Sequence, residues 1–222
     1  MLKALVQCTA MGGDGPVWAV VVAAGTGERF GGPKQYESLA GKRVLDWSLA
    51  AARSIADGVV LVVSPGREGD PEPAADVVVV GGETRSSSVR NGLAAVPAEA
   101  AVVIVHDAAR PAASAQLFAA VVAAVRAGAD GALPGLPVVD TVKRVAGGVV
   151  VETLDRASLV VVQTPQAFAA EALRKAHAGG GDATDDGALV EAAGGRVVVV
   201  PGEPSNVKLT SPADLDRLAA AL

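Results

Sequence analysis

Val17-Trp18-Ala19-Val20-Val21-Val22-Ala23 runs straight into Ala24-Gly25-Thr26-Gly27-Glu28-Arg29-Phe30-Gly31-Gly32-Pro33-Lys34-Gln35. A strand apolar on both faces has no side for water, so it belongs inside a sheet covered by helices above and below. The same texture returns at Val59–Val63, Val77–Val80, Val102–His106 and Val197–Val200. Between these runs lie Val44–Ile55, Arg85–Ala95, Ser114–Ala127, Ala167–Ala176 and Thr184–Ala193, each about the length of a crossover helix. The alternation predicts an α/β domain with a mostly parallel, twisted sheet and helices on both faces. At the far end, Ser211-Pro212-Ala213-Asp214 marks a last helix, with a capping hydroxyl, a proline in the first turn and an acid at the positive end. One stretch breaks the rhythm. Pro137–Val151 reads as two short strands, Val138–Val145 and Val149–Leu154, around Gly147-Gly148, and predicts a protruding β-arm over about residues 137–156.

The 222 residues suffice for one sizeable domain, here residues 17–222, with residues 1–16 expected to be a disordered extension. Lys and Arg number 19 against 24 Asp and Glu, so the net charge of -5 leaves no basic surplus for nucleic acid or an anionic membrane. The apolar runs stop well short of the roughly 18 residues that a membrane span requires. Cys8 is the one cysteine, which excludes an internal disulfide framework or a cysteine-built zinc site and fits a reducing cytoplasm.

Three segments at the ends of strands carry candidate chemistry. In the first, the glycines of Ala23–Gly32 let backbone N–H groups approach a phosphate chain while Arg29 and Lys34 supply cations. It is not a Walker A sequence and lacks the third glycine of a dinucleotide fingerprint. A plain strand-to-helix turn with two solvated cations competes with the nucleotide reading. The second, His106-Asp107-Ala108-Ala109-Arg110-Pro111, ends a very apolar strand, where open α/β sheets bind ligands. Asp107 could face a metal or a ligand hydroxyl and Arg110 could hold a phosphate, or the two could pin a loop. His106 reads as structural. The third, Gly81-Gly82-Glu83-Thr84-Arg85-Ser86-Ser87-Ser88-Val89, opens a helix whose N-terminus can hold an anion or simply be capped. Thr141, Lys143-Arg144, Asp155-Arg156, Gln163-Thr164-Pro165-Gln166, Thr184-Asp185-Asp186 and Asn206-Val207-Lys208, taken one at a time, look like solvated groups on the outside of the domain. Together, Arg, Lys and Thr at the ends of many elements in an acidic chain are what two phosphorylated substrates held face to face would require.

In this order, these motifs resemble the 2-C-methyl-D-erythritol 4-phosphate cytidylyltransferases, and the resemblance spans residues 17–222. It implies a Rossmann-like nucleotidyltransferase that joins CTP to a polyol phosphate, 2-C-methyl-D-erythritol 4-phosphate, and releases pyrophosphate, a step of non-mevalonate isoprenoid synthesis. Carried onto this chain, Arg29, Lys34 and Lys208 are the catalytic cations. Ala23, Ala24, Gly25, Gly27, Gly82, Arg85, Ser88 and Asp107 serve the nucleotide. Arg110, Thr141, Arg156, Thr164, Thr184 and again Lys208 serve the acceptor, with Thr141 and Arg156 reaching in from the other subunit of a homodimer joined through the arm. Mg²⁺ arrives with the triphosphate, no metal site being built by protein alone and Asp107 being the residue placed to touch it. No general base is required, since the acceptor phosphate is already an anion. Two departures stand out: residues 1–16 match nothing in the family, and Glu28 occupies a position that is often basic there. Glu28 is expected to face solvent.

Transfer to another polyol phosphate, such as ribitol phosphate, is the alternative that few pocket residues would separate. A nicotinamide oxidoreductase would need an acid after the second strand, where Ser64-Pro65-Gly66 stands instead.

Overall fold

The computed structural model describes residues 15–220 and Leu222. In chain order the elements are β1 (Val17–Ala23), β2 (Ser38–Leu39), β3 (Lys42–Arg43), α1 (Val44–Arg53), β4 (Gly58–Val63), β5 (Val77–Val80), α2 (Arg85–Ala94), β6 (Val102–Asp107), α3 (Ala115–Arg126), β7 (Gly131–Pro137), β8 (Lys143–Ala146), β9 (Val149–Thr153), β10 (Val160–Val162), β11 (Gln166–Ala169), α4 (Ala170–Ala178), α5 (Asp186–Ala192), β12 (Val197–Pro201) and α6 (Asp214–Ala219). Eight strands form one sheet in which β5, β4, β1 and β6 run parallel, β11 lies antiparallel between β6 and β7, and β12 pairs parallel with β7.

Valine dominates the centre because every position of β4 and β6 is buried and a β-branched side chain fits the pleat. Alternate residues feed two cores. Ala19 and Val21 pack with Leu45, Leu49, Phe118 and Val121 under α1 and α3, while Val20 packs with Val89, Leu93, Leu173 and Val190 under α2, α4 and α5. α2 lies especially close to the sheet, since a Cβ at Gly92 would stand 2.5 Å from Val20 Cγ1 and 2.8 Å from Val62 Cγ2. Its N-terminus is thereby fixed beside the carboxyl ends of β1 and β6, which are in register with Val22 opposite Asp107.

The layered α/β architecture is as expected, and several boundaries are not. The stretch expected as a helix from Ala167 begins as β11, because Gln166–Ala169 bond to β6 and β7 and helix α4 starts only at Ala170. The arm's first strand is Lys143–Ala146 rather than Val138–Val145; Pro137 ends β7, and the chain from Val138 to Val142 lies outside any strand. The expected extension over residues 1–16 falls, up to residue 14, outside the described residues, whereas Pro16 already accepts bonds through its carbonyl from Ala101 N and Val102 N. No helix among the described residues is long and apolar enough to cross a membrane.

Candidate active site

The loop after β1 is shaped by Gly27, whose φ of +72° suits glycine and whose Cβ, if present, would meet the Gly32 carbonyl oxygen at 1.8 Å. Its carbonyl accepts from Phe30 N at 2.8 Å and Gly31 N at 3.0 Å, folding the chain back so that Lys34 N reaches the Gly32 carbonyl at 2.8 Å. Gln35, 3% exposed, then donates through Nε2 to the carbonyls of Ala23 at 2.7 Å and Gly25 at 3.2 Å. That stitch holds Lys34 over the loop. Across from it, Thr84 and Ser87 cap α2 reciprocally, and Ser88 Oγ accepts from Gly82 N at 3.1 Å.

Asp107 closes the floor. Its carboxylate accepts from Arg85 Nε at 3.1 Å on one oxygen and Lys208 Nζ at 2.6 Å on the other, and its N–H donates to Thr164 Oγ1 at 3.0 Å. Lys208 is brought there because Leu209 N bonds to the Ala109 carbonyl at 2.7 Å, laying the segment after β12 along the end of β6. Burial would raise the Asp107 carboxyl, but Arg85 and then Lys208 outweigh it and hold the group far below the usual carboxylate range. Lys34 is lowered, first by burial and then by the like charges of Lys208 and Arg29.

The result is a cleft of about 460 Å³ lined by Ala23–Thr26, by Arg29, Lys34, Arg85 and Lys208, and by Gly82, Ser88 and Asp107. Four cations face two carboxylates, Asp107 and Glu83, so the space is built for an anion. Of the nucleotide-side residues read from the sequence, Gly27 alone does not line it and acts by shaping the loop. Glu28 is exposed and off the lining. The acceptor-side residues are scattered. Arg110 turns away, Nη1 donating to the Asn206 carbonyl at 2.8 Å; Thr164 is buried behind Asp107; Thr184 is exposed just before α5. Thr141 and Arg156 are exposed by the arm, Arg156 donating to the Val139 carbonyl, and neither lines the cleft. Sequence reasoning gave no role to Gln35, nor to Asp186, which accepts from Arg85 Nη1 at 2.8 Å. The first was visible only as a neighbour of Lys34, the second only as one acid of a pair.

The family model described as IspD, 2-C-methyl-D-erythritol 4-phosphate cytidylyltransferase, matches residues 17–222. This chain belongs to that family. It is 46% identical to the 2-C-methyl-D-erythritol 4-phosphate cytidylyltransferase of Nocardia farcinica over 94% of both chains. It is 48% identical to the bifunctional enzyme IspD/IspF of Anaeromyxobacter dehalogenans over 93% of this chain and 57% of that protein, so it spans little more than half of that relative's length. The crystal structure of the Thermus thermophilus 2-C-methyl-D-erythritol 4-phosphate cytidylyltransferase superposes with a TM-score of 0.78 at 36% identity, covering 90% of this chain and 96% of that one. The chain's family is thus not that of the nicotinamide oxidoreductases weighed above.

Proposed function

We propose that this chain transfers the cytidylyl group of CTP to 2-C-methyl-D-erythritol 4-phosphate, giving 4-diphosphocytidyl-2-C-methyl-D-erythritol and pyrophosphate in a cytoplasmic step of isoprenoid precursor synthesis. The observation that carries this is the four-cation cleft at the carboxyl ends of β1 and β6, in a chain of this family. An oxygen of the acceptor phosphate attacks the α-phosphorus of CTP; the new P–O bond forms as the bond to the bridging β-phosphate oxygen breaks, and pyrophosphate carries off the electron pair. Such transfer needs positioning and charge stabilisation rather than a covalent partner. Arg29 and Lys34 take the charge that grows toward the leaving pyrophosphate, backbone N–H groups of the β1 loop hold the chain of phosphates, and Lys208 serves the phosphate that attacks. Gly82, Arg85 and Ser88, at the start of α2, border the nucleoside.

The donor set suits an ion that brings its own phosphate ligands. Among the described residues no three His, Cys, Asp or Glu side chains gather into a cage, and Asp107, already holding two cations, is the carboxylate that would reach it. Mg²⁺, when bound with the triphosphate, would neutralise charge on the phosphates.

The arm supports a homodimer. Val139, Val145, Val149, Val150 and Val151 are all more than half exposed, the hairpin has no core of its own, and Thr141 and Arg156 stand off the cleft of their own chain. Incubation with CTP, Mg²⁺ and methylerythritol phosphate should release pyrophosphate and form the diphosphocytidyl product. Release with ribitol phosphate alone would move the acceptor to that alternative, and release with neither would overturn the reading.

A further inference from the structure

Behind the cleft a line of charge contacts continues past every residue assigned above. Arg85, the first residue of α2, gives Nε to Asp107 and Nη1 to Asp186 Oδ2 at 2.8 Å. Asp186, the first residue of α5, is fully buried at 0% exposure, and its other oxygen takes His177 Nε2 of α4 at 3.0 Å. A carboxylate only accepts, so His177 donates there, and its buried Nδ1 has no partner among the described residues. The same corner is fastened to α2 by Thr84 Oγ1 donating to Asp182 at 2.8 Å and Arg90 Nη1 donating to the Gly181 carbonyl at 2.8 Å.

A fully buried carboxylate is a costly way to fill space, and an apolar side chain of that volume would pack there without the desolvation cost. What the charge does is geometric. Anchored through Nη1 on Asp186, Arg85 sits so that it meets Asp107 through Nε alone, on Oδ1, and Lys208 takes Oδ2. Released from Asp186, the guanidinium can turn its two-pronged edge onto Asp107, the geometry that Arg and carboxylate favour, and displace Lys208 from the second oxygen.

We propose that the buried His177–Asp186 pair is a positioning element that, through Arg85, divides the two oxygens of Asp107 between Arg85 and Lys208 and so holds Lys208 in place for transfer. This rests on the reaction proposed above. His177 orients Asp186, Asp186 restrains Arg85, and neither touches the cleft.

The test is a double-mutant cycle on turnover with CTP and methylerythritol phosphate. Asp186→Asn should lower kcat by about tenfold or more while KM for CTP stays within about threefold, and Arg85→Met with Asp186→Asn should turn over no more slowly than Arg85→Met alone, since the carboxylate acts through the arginine. Losses that multiply, or a kcat of Asp186→Asn within about threefold of the parent, overturn the proposal. Should Asp186→Asn fail to fold, His177 decides. His177→Gln keeps a donor and should stay within about threefold of the parent, while His177→Leu should lose about tenfold in kcat per folded molecule; equal values for the two overturn it. A parent without turnover counts against the reaction and not against the network, which is then read from water exchange of the Arg85 Nε–H in ¹⁵N-labelled protein. Exchange about tenfold or more slower in the parent than in His177→Leu supports the positioning role, and equal exchange refutes it.

Discussion

Lys34 stands where it does because Gly27 turns the chain and Gln35 ties it to the β1 loop, so its ammonium shares the cleft with Lys208 and Arg29. Burial and those like charges outweigh the pull of Asp107 and Asp214 and disfavour the protonated form, so the ammonium is not held there to stabilise the fold. Lys34→Met should therefore leave the melting temperature unchanged or raised while lowering turnover by about two to three orders of magnitude, the effect of removing about 3–4 kcal/mol of transition-state stabilisation. Calorimetry and pyrophosphate release check the two halves. His106 gives the pH counterpart. It is fully buried against Phe118, Nε2 has no partner among the described residues, and burial, against the pull of Asp107 and with the help of Arg110, pushes its pKa down to about 4. An unfolded chain takes up this proton near the ordinary pH 6.5 and the folded chain does not, so stability is whole above that value and falls as the pH drops toward 4, by up to about 3 kcal/mol. Asp107, held low by Arg85 and Lys208 against its own burial, adds its loss only at more acid pH. Denaturant midpoints from pH 7 to 4 should decline in the parent and stay nearly level in His106→Gln.

At the scale of elements, the arm is the part that nothing among the described residues covers. Every residue of β8 and β9 is exposed, and a lone hairpin of that size is marginal in water. Val151→Asp, on a strand whose valines face outward, should yield monomers by analytical ultracentrifugation with an unchanged circular dichroism spectrum; a dimer of parental strength would remove the arm from the interface. The hairpin was legible from Gly147-Gly148 between valine runs, and so were the central strands, whose unbroken valines have one use. β7 was not, because Gly131-Ala132-Leu133-Pro134-Gly135-Leu136-Pro137 carries two prolines and two glycines; it is a strand only because β10, β11 and β12 pair along it. β11 hid at the head of a helical pattern for the same reason, its conformation being set by partners distant in sequence. The site divides likewise. Residues on one loop, such as Arg29 and Lys34, announce themselves, whereas Arg85 and Asp186 are 101 residues apart and leave no local spacing to read, and the nine-residue spacing from His177 to Asp186 matches no motif.

At the scale of the whole molecule the question is which chain completes which cleft. Thr141 and Arg156 line none of their own cleft, so a two-fold dimer in which each arm reaches across would complete each site with the partner's arm. Lys34→Ala would damage the site that its own chain builds. Arg156→Ala would damage the site of the neighbour. Each homodimer then carries two broken sites and should be inactive. When the two variants are unfolded, mixed in equal amounts and refolded, random pairing makes about half of the molecules heterodimers, in which one site bears both lesions and the other bears none. Pyrophosphate release should return to about a quarter of the parental rate, and dilution of either variant should lower it in proportion to the product of their fractions. If Arg156 serves its own chain, every site in the mixture keeps one lesion and the refolded sample stays as inactive as its components.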